Sequence, residues 1–199
     1  MYAREKLTEL FIKFPGIGPR QAQRFVQFLL KASPTVRDEL IEALRDISLH
    51  AHQCPECQRF HEDSDRVCNR CHSRKESTTL LVVATDTDAD AIERTRLYDG
   101  TYFILGGTVT LGADTQPHLR EASLAQIAKK KGAQGLTEVI LAFPANPEGD
   151  MTAARVRDVV RTSAPHVRIT TLGRGLSTGS EIEYADADTI RSALEGRRE

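Results

Sequence analysis

Leu7, Leu10, Phe11 and Phe14 recur at the i, i+3, i+4, i+7 spacing of one helix face, and the pattern stops at Pro15-Gly16-Ile17-Gly18-Pro19. This predicts a first helix, a glycine-bearing turn and a second helix that begins at Pro19, a residue suited to a helix's first turn. In the second helix Ala22, Phe25, Val26 and Leu29 form the inward stripe, and Arg20, Arg24, Gln27 and Lys31 fall on the opposite face. Ser33-Pro34 reads as a cap and first-turn proline for a third helix, buried through Val36, Leu40, Leu44 and Ile47. From about residue 79 the pattern changes. Short continuous apolar runs at Leu80–Ala84, Tyr102–Leu105, Val139–Phe143 and Val167–Thr170 read as strands, with helical stretches at 88–97, 117–131 and 150–163 between them. Continuous rather than alternating apolar strands with helical crossovers predict a mostly parallel sheet covered on both faces.

The stretch between these two regions has little apolar material and holds all four cysteines of the chain, as Cys54-Pro-Glu-Cys57 and Cys68-Asn-Arg-Cys71. Two CxxC pairs at this separation can close a tetrahedral tetrathiolate around one zinc ion. Four ligands leave no open coordination position, so the predicted zinc is structural. A redox reading of the CxxC pairs calls for a βαβ setting, which this polar stretch lacks. The nearby His50, His52, His61 and His72 read as solvated side chains of the module. Zinc should supply the folding free energy of a module this small and fix the angle between its neighbours.

With 199 residues, 40% hydrophobic and 28% charged, the composition is that of an ordinary globular protein. No apolar run reaches membrane-spanning length and the start lacks a secretory core, so the expected location is the cytoplasm. Net charge is −1, but it is unevenly spread. Residues 1–34 carry six basic residues against two acidic ones, a balance of +4, whereas residues 80–199 carry 14 basic and 17 acidic. A polyanion is therefore expected to meet the N-terminal end.

The turn there has the form of a helix-hairpin-helix DNA-binding motif. Gly16 and Gly18 allow a sharp bend and a close backbone approach to a ligand. Their amides point outward at the start of the second helix, where the dipole also favours an anion. Ile17 plugs the bend into the two-helix core, and Arg20, Arg24 and Lys31 reach flanking phosphates. Such contacts carry no base information, so binding should be sequence-non-specific and salt-dependent. The competing reading is a plain helical hairpin with an incidental Gly-x-Gly turn.

Acidic residues follow two of the predicted strands: Asp86, Asp88 and Asp90 after the first, and Glu148 and Asp150 near the third. They fit two roles, capping of helix N-termini or Mg²⁺ binding for phosphodiester chemistry. A small Mg²⁺-dependent nuclease with an appended DNA-binding module is thus an alternative function, and a purely architectural zinc protein is another.

The order of modules, together with Leu81-Val82-Val83, Ala91-Ile92-Glu93, Tyr102–Gly107, Glu138–Ala142, Glu183–Asp186 and Leu194–Arg198, resembles the RecR recombination-mediator family over essentially the whole chain. The resemblance implies an α/β, multi-module fold. Its parts are a helix-hairpin-helix DNA-binding and oligomerisation domain (1–52), a four-cysteine zinc finger (53–78), a Toprim-like domain (79–172) and a C-terminal strand/helix tail (173–199). It implies no catalytic activity, homodimers or homotetramers that encircle or clamp DNA, and work with a RecO-like protein and a RecF-like ATPase in loading recombinase on single-stranded DNA. Arg20 and Arg24 match the family's DNA-contacting positions, and Cys54, Cys57, Cys68 and Cys71 its zinc ligands. The sequence departs from the pattern at Ala84, where the family usually has the first acid of a Toprim Mg²⁺ site. It departs again after Gly107, which lacks a Pro-Leu-Asp-Gly element, and at Gly175–Gly179. Pro147-Glu148-Gly149-Asp150 keeps the second acidic pair, a partner-binding or Mg²⁺ position.

Overall fold

The computed structural model describes residues 2–112 and 116–197; Ala113, in the loop after Gly107, and Arg198, in the tail motif, lie outside the described residues. The chain divides into two compact units, Met1–Ala51 and His52–Glu199.

The first unit contains α1 (Ala3–Ile12), α2 (Pro19–Lys31) and α3 (Pro34–His50). Their starts follow from local chemistry. The Glu5 carboxylate accepts the Tyr2 N–H at 3.0 Å ahead of α1, Pro19 opens α2, and Ser33 Oγ accepts the Val36 N–H at 3.3 Å ahead of α3. Arg37 Nη1 donates to the carbonyls of Ala32 (2.8 Å) and Leu29 (3.3 Å), satisfying the end of α2 from α3. Ala22 and Val26 are buried, and the Phe11 ring stands edge-on to Phe25 with centroids 5.6 Å apart. The stripe expected to bury α3 is not covered: Val36, Leu40, Leu44 and Ile47 are 40, 41, 55 and 54% exposed. A unit of this size encloses too little interior to hide a third apolar face.

In the second unit a short hairpin, β1 (His52–Gln53) against β2 (Phe60–His61), and α4 (Asn69–Ser73) carry the cysteines. Then come β3 (Thr79–Val83), α5 (Asp86–Thr95), β4 (Thr101–Ile104), α6 (Glu121–Gly132), β5 (Glu138–Ala142), α7 (Pro147–Ser163) and β6 (Arg168–Thr171). The sheet is parallel throughout, in the order β4-β3-β5-β6. Leu80, Val82, Phe103, Val139 and Leu141 pack with Leu124, Ile127, Val156 and Val160 of α6 and α7. The intervening Leu81, Val83, Tyr102 and Ile104 pack with Ala89 and Ile92 of α5 on the other face. Both faces are therefore apolar, which is why the strands read as continuous runs.

Helix α7 begins three residues before the expected position because Asn146 Oδ1 accepts the Gly149 N–H at 2.8 Å, a cap followed by a first-turn proline. The C-terminal segment forms a 3-10 turn (Ile182–Tyr184) and α8 (Ala187–Glu195), capped by Asp186 Oδ1 from the N–H groups of Asp188 and Thr189. The strand expected in this tail is not formed among the described residues: after β6 they hold only the 3-10 turn and α8 as regular elements.

Candidate nucleic-acid interface and metal centre

The chain leaves α1 through hydrogen bonds from Phe14 N–H to Phe11 O and from Ile17 N–H to Phe14 O, each 3.1 Å. Gly16 sits at φ +76°, in the left-handed region that glycine takes at little cost. Gly18 caps α2 at φ −84° and ψ 171°, and its carbonyl accepts the Ala22 N–H at 3.0 Å. Among the described residues no acceptor faces the amides of Gly16, Gly18, Arg20 or Gln21, the orphan donors of a bend and a helix start. A Cβ built on Gly16 or Gly18 meets no atom within 4 Å, so the bend opens to solvent. Ile17 is half-buried beneath it. Arg20, Arg24, Gln27 and Lys31 line one surface depression with Gln23 and the exposed ring of Phe28. Helical periodicity does not single out Phe28, which belongs neither to the inward stripe nor to the polar face.

The cysteines converge. Their four Sγ atoms lie within 4.8 Å of one another, and they are the one such group of His, Cys, Asp or Glu side chains among the described residues. Cys54 and Cys71 sulfurs are 3.9 Å apart, and those of Cys57 and Cys68 are 3.7 Å apart. A tetrahedral ion bound at about 2.3 Å gives edges of about 3.8 Å, so the donor set fits a tetrahedral metal ion. Cys54, Cys57 and Cys68 are buried and Cys71 is partly exposed. The Cys68 N–H points at Cys54 Sγ at 3.5 Å, as expected of a knuckle that stabilises thiolate. Hydrogen bonds from the Cys57, Cys68 and Cys71 thiols push the Cys54 thiol far down, while the contact with Cys54 pushes Cys57 and Cys71 up. One histidine departs from the expected solvated state: His61 has a side chain only 7% exposed, with Nδ1 3.3 Å from Asp63 Oδ2 and its ring against His52.

The knuckle is joined to the α/β sheet by contacts that spacing along the sequence does not signal. Ile104 N–H donates to Cys57 O at 2.8 Å, and Arg120 Nη1 bridges the carbonyls of Gln58 and Ile104 at 3.1 and 3.0 Å. Arg59 pairs with Asp90 at 2.7 Å. Glu93, with a side chain 12% exposed, takes Arg70 at 2.5 Å and Arg74 at 2.9 Å, with Arg59 at 3.6 Å. Arg74 also lies over the Tyr102 ring, 5.5 Å from its centroid.

These pairings decide what most of the acids do. Asp90 belongs to the arginine network. Asp88 forms a capping box with Thr85, its carboxylate accepting from the Thr85 N–H at 2.9 Å and hydroxyl at 2.7 Å. Asp86 is half-buried, and burial raises its pKa against the opposing charges of Arg59 and Arg120. Asp150, in the first turn of α7 beside Glu148, pairs with Arg174, whose hydrogen bonds hold its carboxyl below the usual range. Ala84 is buried at the end of β3. The acids after β3 and those at the start of α7 do not converge into one cluster.

A Toprim domain model matches residues 78–173 and a RecR C-terminal model matches residues 175–198. A recombination protein RecR of Chloroflexus aggregans is 37% identical over 197 residues, covering 98% of this chain and 92% of that protein. Those of Prochlorococcus marinus and Tropheryma whipplei are 34% identical over 193 residues and 35% over 201, covering 96 and 100% of this chain and 94 and 98% of theirs. Matches of this extent run through the glycine bend, the cysteine cluster, the parallel sheet and the tail alike, and they place the chain in the RecR family.

Proposed function

We propose that this chain is a DNA-binding recombination mediator in DNA repair. It acts without catalysis, as a ring or clamp, and helps a RecO-like protein and a RecF-like ATPase load recombinase on single-stranded DNA. The carrying observation is the row of unpaired amides at Gly16, Gly18, Arg20 and Gln21, open to solvent beside two arginines. In this reading a backbone phosphate sits on the amides of Gly16 and Gly18, with Ile17 bracing the bend. Arg20, Arg24 and Lys31 meet neighbouring phosphates. The ion of the four cysteines is one structural zinc, favoured by an all-sulfur tetrahedral donor set with no open position. Glu148 and Asp150 serve as a partner-facing or Mg²⁺-binding acidic pair, and the exposed stripe of α3 supports a homodimer or homotetramer. The roles divide as 1–52 for DNA and assembly, 53–78 for zinc, 79–172 for the Toprim scaffold and 173–199 for the tail.

Binding of a labelled oligonucleotide, read by anisotropy over a salt series, tests the reading. Arg20→Ala/Arg24→Ala should flatten the dependence of log K on log salt by about 1.8 on duplex DNA, roughly 0.9 for each lost phosphate contact. A slope equal to that of the parent protein removes the phosphate assignment.

A further inference from the structure

Cys71 differs from the other three sulfurs in its surroundings. It is partly exposed, and it lines an open groove of about 240 Å³ with Lys75, Lys130, Lys131 and Glu56. Lys130 is paired with Glu56 at 2.5 Å, while among the described residues no carboxylate pairs with Lys75 or Lys131. The groove therefore presents two uncompensated ammonium groups beside one cysteine of the cluster. Accessible sulfur in an electropositive setting is the condition for cysteine oxidation.

We propose that Cys71 is a peroxide-modification site whose oxidation discharges the metal, an inference that rests on the zinc reading of the cluster. A bound metal would keep Cys71 deprotonated against the upward push of its sulfur neighbours; its thiolate attacks one peroxide oxygen, the O–O bond breaks, and hydroxide leaves with a proton taken from the groove or solvent, giving a sulfenic acid and water. Lys75 and Lys131 stabilise the negative charge that develops on the departing oxygen. Cys54 Sγ, 3.9 Å away, then attacks the sulfenyl sulfur. The S–O bond breaks, a second hydroxide leaves as water, and a Cys54–Cys71 disulfide forms. Two thiolates have lost two electrons, and one peroxide has become two waters with two protons. A zinc ion held by the four sulfurs would be left with Cys57 and Cys68 alone, too few ligands to keep it. The peroxide signal thus reaches the knuckle that is hydrogen-bonded to Ile104 and Arg120.

The full-length protein is first assayed for zinc by elemental analysis. Less than one zinc per chain counts against the zinc reading and leaves peroxide chemistry to be judged on the sulfurs alone, by peptide mapping. With zinc present, hydrogen peroxide is added at one equivalent, zinc release is followed with a chromogenic chelator, and the disulfide is mapped by mass spectrometry under non-reducing conditions. Release of one zinc with a Cys54–Cys71 bond, reversed by dithiothreitol and zinc, is the expected result. Lys75→Gln/Lys131→Gln should release zinc roughly threefold more slowly, at unchanged zinc content and Tm, since Lys75 is exposed, Lys131 half-buried and neither is paired with a carboxylate among the described residues. Initial oxidation at Cys54, Cys57 or Cys68, a disulfide joining any other pair, or an unslowed double variant overturns the proposal.

Discussion

Replacing Gly18 by alanine separates the binding role of the bend from its folding role. At φ −84° and ψ 171° the backbone of Gly18 is open to any residue, and an added Cβ meets nothing within 4 Å. Alanine is a poorer N-cap than glycine, which costs about 0.5 kcal/mol. The lower entropy of the unfolded chain returns a similar amount, about 0.4–1 kcal/mol. Tm should therefore stay within about 2 °C of the parent. The DNA complex is different, because a methyl group now stands where a phosphate must approach the amide. A hydrogen bond to a charged group is worth about 1.5–3 kcal/mol, so affinity should fall by roughly 10- to 100-fold. No cation is lost, so the salt slope should not change, which distinguishes this variant from the double arginine variant. Gly16→Ala makes the contrast: at φ +76° the left-handed backbone costs a side chain about 1 kcal/mol, so this change should lower Tm as well. Anisotropy titrations at fixed salt beside calorimetric melting are sufficient. Parent-like affinity in Gly18→Ala with an intact fold would refute the idea that the bend touches the polymer.

Three further outcomes are expected. On the zinc reading of the cluster, removing the ion with a chelator, or making Cys57→Ser, should lower Tm and loosen residues 52–78, visible as lost amide protection there, because metal binding supplies the folding free energy of so small a module. Glu93→Gln removes a 12%-exposed carboxylate from three arginines and leaves Arg59 with Asp90 alone; a loss of about 2 kcal/mol in urea unfolding is expected, below the range for a fully buried pair. The Asp150 pKa lies below the usual carboxylate value because of Arg174, so the pair stabilises above the ordinary carboxylate range and is lost as pH falls through the depressed value. With both groups about half exposed the effect is at most about 1 kcal/mol, and NMR titration should show Asp150 returning to an ordinary pKa in Arg174→Ala.

The sheet is legible in the sequence because both its faces are covered: Leu80–Val83 alternates between two apolar layers and leaves an unbroken apolar run. The cysteine cluster is legible because its spacing is itself the geometric constraint. The start of α7 reads late because periodicity begins only after the cap, although Asn146-Pro147 is a start signal in its own right. The face of α3 reads as buried because amphipathicity shows that a helix has an apolar side and says nothing about what covers it. The roles of Asp90, Glu93 and His61 are out of reach, since their partners lie in other elements and meet them only in the fold. The acids after β3 resemble a metal site as a string of letters, yet in space one caps a helix and another neutralises arginines.

On the proposed reading, the unequal character of the molecule's surfaces explains how a protein with no base-reading groups can act selectively. A glycine bend and a few cations recognise only phosphate, and one such cradle binds weakly. Selectivity must then come from the number of cradles that engage together and from the proteins that deliver them. Apolar side chains left in solvent would be available to such assembly: Leu44 and Ile47 on α3, in the same unit as the cradle, and Ile182, Tyr184 and Leu194 in the tail. The zinc knuckle makes no phosphate contact in this account. Its arginines neutralise Asp90 and Glu93 and its Cys57 carbonyl holds β4, so it serves as a rigid joint of the scaffold. Losing the metal should therefore disturb assembly before it disturbs the grip on any single phosphate.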